Sequence, residues 1–147
     1  MFKTILVPVD GSPNARRAVE IATDLAAKYD ASIDFVHVGV VHRIPEEVLQ
    51  LGQVEHIGAV PRDILLFLWN RIVEDAQAYA REHGLKKVGG TVLEGDPAPH
   101  ILDYATKKGI DAIVMGCRGL GNMKGLLLGS VSHKVTSLAP CTCITVH

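Results

Sequence analysis

Apolar residues along this chain fall into short unbroken runs and longer one-sided stripes that alternate, and the alternation itself predicts the fold class. Phe2 to Val9 is a run rich in β-branched residues, too short for a helix and without the period of a strand that has one wet face. It predicts a buried central strand. Ser12 and Pro13 then supply an N-cap and an N1 proline, and Ala15, Ala18, Val19, Ala22, Leu25 and Ala26 recur at helical spacing as far as Tyr29. The alanines let this helix lie close on a sheet. Asp30 and Ala31 break it, and Ile33 to Val38 is a second apolar strand.

Residues 41–60 hold no clean period and are expected to form a variable excursion, with two helical turns between Pro45 and Leu51. Pro61 to His83 is a long amphipathic helix, its apolar side marked by Ile64, Leu65, Leu68, Ile72, Ala76 and Ala80, and Gly84 stops it. Lys86 to Leu93 predicts a third strand, weakened by Gly89 and Gly90 in a way that suits a sheet edge or a bulge. A helix follows from Asp96 and Pro97 to Lys108, with Lys107 and Lys108 in its last turn and Gly109 as its stop. Ile110 to Met115 is the fourth strand, Ser130 to Leu138 a short helix ended by Pro140, and Cys141 to Val146 the fifth strand. Strands alternating with helices over 147 residues predict one α/β domain, residues 1–147, built on a doubly wound parallel sheet with helices on both faces.

Composition narrows the classes of partner. Fifteen Lys and Arg against 16 Asp and Glu leave a net charge of −1, with no run of one sign, which argues against nucleic-acid binding. The longest apolar stretches, Ile64 to Trp69 and Leu126 to Leu128, fall far short of the ~20 residues that span a bilayer. The N-terminal run lacks a small-residue cleavage site, so no signal peptide and no membrane span are expected, and the location is expected to be cytoplasmic. Cys117, Cys141 and Cys143 are an odd count, two of them one residue apart, which does not suit a disulfide framework.

Candidate chemistry gathers at two strand ends, Pro8-Val9-Asp10 and Met115-Gly116. From the second, the spacing is Gly116-x2-Gly119-x9-Gly129-Ser130, leading into Val131 and Ser132 at a helix start. Glycines permit positive φ and close backbone approach, and a helix start offers unpaired N–H groups at a positive dipole end, so phosphate is the natural guest. The order does not match G-x-G-x-x-G, which follows the first strand of a dinucleotide unit, and no GxxxxGK[ST] occurs because Gly125 follows Lys124.

These residues resemble the universal stress protein family, in particular its ATP-binding branch, whose signature is G-x2-G-x9-G-[ST]. The likeness also takes in Ile5 to Ser12, Val36 to Val38, Asp111 to Gly116 and Leu127 to Val131, and so nearly the whole chain. The resemblance implies a five-stranded sheet of order 3-2-1-4-5, an architecture similar to adenine nucleotide α-hydrolases, ATP (or AMP or ADP) as ligand, and a homodimer through the last strand, residues 141–146. In that strand Cys141, Thr142, Cys143 and Thr145 depart from the family's proline- and valine-rich pattern. Carried onto matching positions, Pro8, Val9 and Val38 would wall the adenine, with main-chain groups of Val9 or Val38 reading its edge. Asp10 would face the ribose or a nucleotide-bound Mg²⁺. Met115, Gly116, Arg118 and Gly119 would line the ribose and phosphate side, while Gly129, Ser130, Val131 and Ser132 would offer backbone and hydroxyl donors to phosphates.

Plainer roles stand beside these. Asp10-Gly11-Ser12 also reads as a turn with a helix cap, the stretch from Gly116 to Gly129 as a strand-to-helix loop, and Lys124 and His133 as surface groups. Cys141, Cys143 and His147 share one face of the last strand but lack a fourth ligand, so buried thiols of a core or interface are expected rather than a metal site. Cys117, beside Arg118 and a helix start, has the setting of a redox-sensitive thiol. The function expected is a nucleotide-binding regulatory stress-response protein with slow or no hydrolysis and no catalytic residues, since no Glu or Gln is visibly placed to position water. The alternatives are an ATP hydrolase or adenylating enzyme of related architecture, and the same fold holding another small ligand. The protein partner is not named by the sequence.

Overall fold

A computed structural model describes residues 1–41, 60–118 and 129–147. The expected helical turns between Pro45 and Leu51, together with Gly119 and Lys124, lie outside the described residues. Strand β1 (Thr4–Pro8) leads through a tight turn into helix α1 (Pro13–Tyr29), which ends at Asp30 in the left-handed conformation. Asp tolerates that conformation better than most residues, and the Asp30 N–H closes the last turn on the Ala26 carbonyl. Strand β2 (Ser32–Gly39), helix α2 (Arg62–Glu82), strand β3 (Val88–Glu94) and helix α3 (Pro97–Lys108) follow. Gly109, at φ 61°, ends α3 where a side chain would be strained. Strand β4 (Ala112–Gly116), helix α4 (Ser130–Leu138) and strand β5 (Thr142–Val146) complete the order.

The strands form one parallel sheet of five in the order β3-β2-β1-β4-β5. Side chains alternate across it, so Ile5, Val7, Ile33 and Phe35 pack under the alanine face of α1 and under Val73, Ala76 and Ala80 of α2. Leu6, Val36, Ile113 and Met115 pack on the other face with Ala98, Ile101 and Ala105 of α3 and Val135 of α4. Both faces are thereby covered, which is why β1 reads as an unbroken apolar run.

Gly89 and Gly90 do lie on an edge strand, but no bulge accompanies them: β3 pairs with β2 in continuous register from Val88 to Glu94. Their role is clearance. A Cβ at Gly89 would run into the Asp34 carboxylate, and one at Gly90 into Val73 and Gln77 of α2. The glycine pair lets a helix and a charged side chain press directly on the backbone of β3.

Because β1 and β4 are neighbours whose following helices go to opposite faces, α1 to one and α4 to the other, the chain diverges at their carboxyl ends. An open parallel sheet forms its natural crevice at such a point.

Candidate functional site

The crevice is lined by Pro8, Val9, Asp10, Val38, Met115, Gly116, Arg118, Gly129, Ser130, Val131 and Ser132. Those are the sequence candidates that fall within the described residues. Ser12, Ala15, Val36, His37, Pro97 and Ile101 complete the wall. About 800 Å³ of space, part of it open solvent, lies between them.

The floor begins with the turn after β1. Asp10 Oδ1 accepts the Ser12 N–H at 2.9 Å, and Ser12 Oγ accepts the Ala15 N–H at 3.2 Å. The plain turn-and-cap role is therefore present, and it leaves the second Asp10 oxygen outside that turn bond. On the opposite wall, α4 starts at Gly129, and the His133 N–H is the first to close on it, through the Gly129 carbonyl. The N–H groups of Ser130, Val131 and Ser132 precede that bond, so they are the donors a helix start leaves without intrahelical partners. No acidic residue stands in this first turn, and its dipole end favours an anion. The Ser132 hydroxyl donates to the Cys117 carbonyl at 2.7 Å, with the Gly129 carbonyl also near at 3.1 Å. One hydroxyl has one proton, so Ser132 offers a ligand its main-chain N–H rather than its hydroxyl.

The glycines need a different reason from the one their sequence suggests. Neither Gly116 nor Gly129 has positive φ. At Gly116 the cause is close approach, since a Cβ there would lie 2.9 Å from the Asn14 carbonyl carbon. At Gly129 a Cβ would make only ordinary contacts, 3.4 Å from the Cys117 carbonyl oxygen and 3.6 Å from the Arg118 Cα, so nothing in the described protein atoms requires glycine.

The main chain of Val38 completes the wall. In a parallel ladder the N–H and C=O of one residue point to the same neighbour and alternate along the strand. The Val36 carbonyl accepts the Val9 N–H at 2.8 Å, and the Gly39 carbonyl accepts the Gly95 N–H at 3.0 Å on the other side. Val38 therefore turns its N–H and C=O to the β1 side, past Pro8, where the β1 pairing stops. Val9 differs: its N–H goes to Val36 and its carbonyl meets His37 Nδ1 at 2.7 Å. Of the two residues expected to read a ligand edge, Val38 is the one whose main chain lies beyond the ladder.

His37 is the residue the sequence pattern passed over. Burial pushes its pKa below 6.5, with the Val9 carbonyl and the Asp10 charge opposing. A polar residue between Val36 and Val38 in a buried strand has to find a partner, and that was the available signal. Pro97 was legible only as the start of α3, and Ile101 was not singled out.

The thiols divide. Cys117 is buried, with its Sγ 3.2 Å from His147 Nδ1 and 3.6 Å from Asn14 Nδ2. Cys141 and Cys143 pack against the face that carries α3 and α4, and burial raises both thiol pKa values. His147 thus sits beside Cys117. Among the described residues no group of three or more His, Cys, Asp or Glu side chains could hold a metal, and no helix is long and apolar enough to cross a membrane.

A family model described as the universal stress protein family matches residues 1–147. Universal stress protein YxiE of Bacillus subtilis is 34% identical over the full length of both chains. Among solved structures, the universal stress protein UspA from Lactobacillus plantarum superposes with a TM-score of 0.80 at 24% identity, over 99% of this chain and 98% of that one. An Arabidopsis thaliana universal stress protein family protein with AMP bound gives a TM-score of 0.65 at 22% identity, over 98% and 90% of the two chains.

Proposed function

Since the chain belongs to the universal stress protein family, we propose that it binds an adenine nucleotide, ATP in its working state, in the crevice between β1 and β4. The observation that carries this reading is the opposition of two main-chain features across one cleft. Val38 presents an N–H and a C=O side by side on one wall, and the first turn of α4 presents N–H donors on the other. Adenine has an acceptor at N1 beside a donor at N6, which complements that pair, whereas guanine has the opposite order. Pro8, Val9 and Met115 supply apolar wall for the base, and the α4 turn supplies a positive end for phosphate. The AMP complex of the Arabidopsis relative supports the same class of ligand.

The second Asp10 oxygen would meet a ribose hydroxyl or a nucleotide-bound Mg²⁺. Occupancy would act on assembly rather than through turnover: among the described residues β5 is an edge strand with no partner strand on its outer side, and pairing with a second copy would complete it. Free Cys117, Cys141 and Cys143 fit a reducing cytoplasm.

Mass spectrometry of small molecules released from the purified, denatured protein tests the reading. ATP or AMP is the expected result, and an unrelated molecule in stoichiometric amount would overturn it. ADP accumulating during incubation with ATP would favour the hydrolase.

A further inference from the structure

An unbroken β1–β2 ladder would continue from the Val9 N–H bond to Val36 with a bond from the Val38 N–H to the Val9 carbonyl. Pairing instead stops at Pro8 opposite Val36, and the Val9 carbonyl meets His37 Nδ1 at 2.7 Å. A carbonyl oxygen only accepts, so Nδ1 carries the hydrogen and Nε2 is the bare nitrogen. Among the described residues that Nε2 is buried with no partner, so Nδ1 makes the one hydrogen bond that holds the ring there. The ring is also held by packing: His37 is 7% exposed and lies 6.0 Å from the Trp69 ring, centroid to centroid. Trp69 is fixed in turn, since a Cβ at Gly39 would fall within its indole.

We propose that His37 is a positioning residue for base recognition. By donating to the Val9 carbonyl it ends the ladder one bond early and keeps the Val38 N–H for N1 of the adenine. This rests on the nucleotide reading above. With the imidazole donor gone, the carbonyl would turn back to the Val38 N–H, and a ligand would have to break that bond to reach the same group.

The test compares ATP with 1-deaza-ATP, in which N1 is a C–H, by calorimetric titration of the wild type, His37→Phe and His37→Asn. Phe keeps a ring against Trp69 and loses the donor, while the Asn amide nitrogen stands where Nδ1 stood. The wild type should prefer ATP about tenfold, the worth of one hydrogen bond. His37→Phe should lose that preference by binding ATP about tenfold more weakly, with 1-deaza-ATP little changed, and His37→Asn should restore it. Equal weakening toward both ligands, or an unchanged preference in folded His37→Phe, would overturn the proposal. Absence of ATP binding by the wild type would instead overturn the nucleotide reading itself. Should His37→Phe melt below the assay temperature, His37→Leu makes the same comparison.

Discussion

Acidification should destabilise this fold through His37, and the sign follows from where its proton goes. The imidazole is buried, and burial holds its pKa below 6.5 while the Val9 carbonyl and the Asp10 carboxylate oppose that shift. In the unfolded chain the same ring titrates near 6.5. Above that pH it is neutral in both states and its contribution is full and flat. As the pH falls below 6.5 the unfolded chain takes up a proton that the fold resists, so stability drops until the folded pKa is passed. Linkage limits the slope to about 1.4 kcal/mol per pH unit, and a domain of this size shifts its Tm by about 2–4 °C per kcal/mol. The wild type should therefore lose up to about 3–6 °C per pH unit in that window relative to His37→Asn, which has no titrating group there. Melting curves of both proteins from pH 8 to pH 4.5, read as a difference, cancel the carboxylates they share. Parallel curves would refute the assignment, and so would a steeper acid loss in the variant.

Other outcomes follow from the same geometry. Gly129→Val combined with Ser130→Ala should fold, because a Cβ at 129 meets only ordinary contacts, yet should weaken ATP binding by more than about tenfold if phosphate approaches this turn; a folded double variant with unchanged affinity would sink the phosphate assignment. Gly116→Ala should cost about 1–3 kcal/mol in urea unfolding, since its Cβ would press on Asn14, and a neutral result would show that α1 can retreat. ATP at ~100 times its Kd should add about 2.7 kcal/mol and raise the Tm by about 5–10 °C; a larger shift with GTP would contradict an adenine-reading Val38.

The fold class was legible because each buried element carries its own period, whereas the strand order followed only from the family resemblance. The apolar run of β1 reports a strand covered on both faces, and the alanine stripe of α1 reports a helix lying close on the sheet. What the sequence concealed was the reason behind particular residues. Gly89 and Gly90 look like a weakness until Asp34 and α2 are seen pressing on them, and Gly129 looks like a positive-φ residue although its backbone is extended. Both errors share one cause: a glycine records that a side chain is unwelcome without recording what stands there. His37 escaped for the opposite reason, since a polar residue in a largely apolar strand gives no sign of its partner until Val9 is brought alongside.

The described side chains of the crevice are largely committed to holding it together, and this bears on whether it turns ATP over. One Asp10 oxygen fixes the turn to Ser12, the Ser12 hydroxyl caps α1, the Ser132 hydroxyl donates to Cys117, and the His37 donor is spent on Val9. What they leave for a ligand is chiefly main-chain N–H, which binds charge well but neither takes nor gives a proton. In-line attack on a phosphate needs a water held by an acceptor, and among the described residues the second Asp10 oxygen is the candidate nearest to that role. Asp10→Asn keeps a side-chain oxygen for the Ser12 N–H and removes the charge. If binding is the function, the variant should hold ATP within about threefold and show the same negligible phosphate release as the wild type, measured over hours with a coupled assay. Steady wild-type turnover that the substitution abolishes while ATP remains bound would overturn the regulatory reading in favour of a hydrolase.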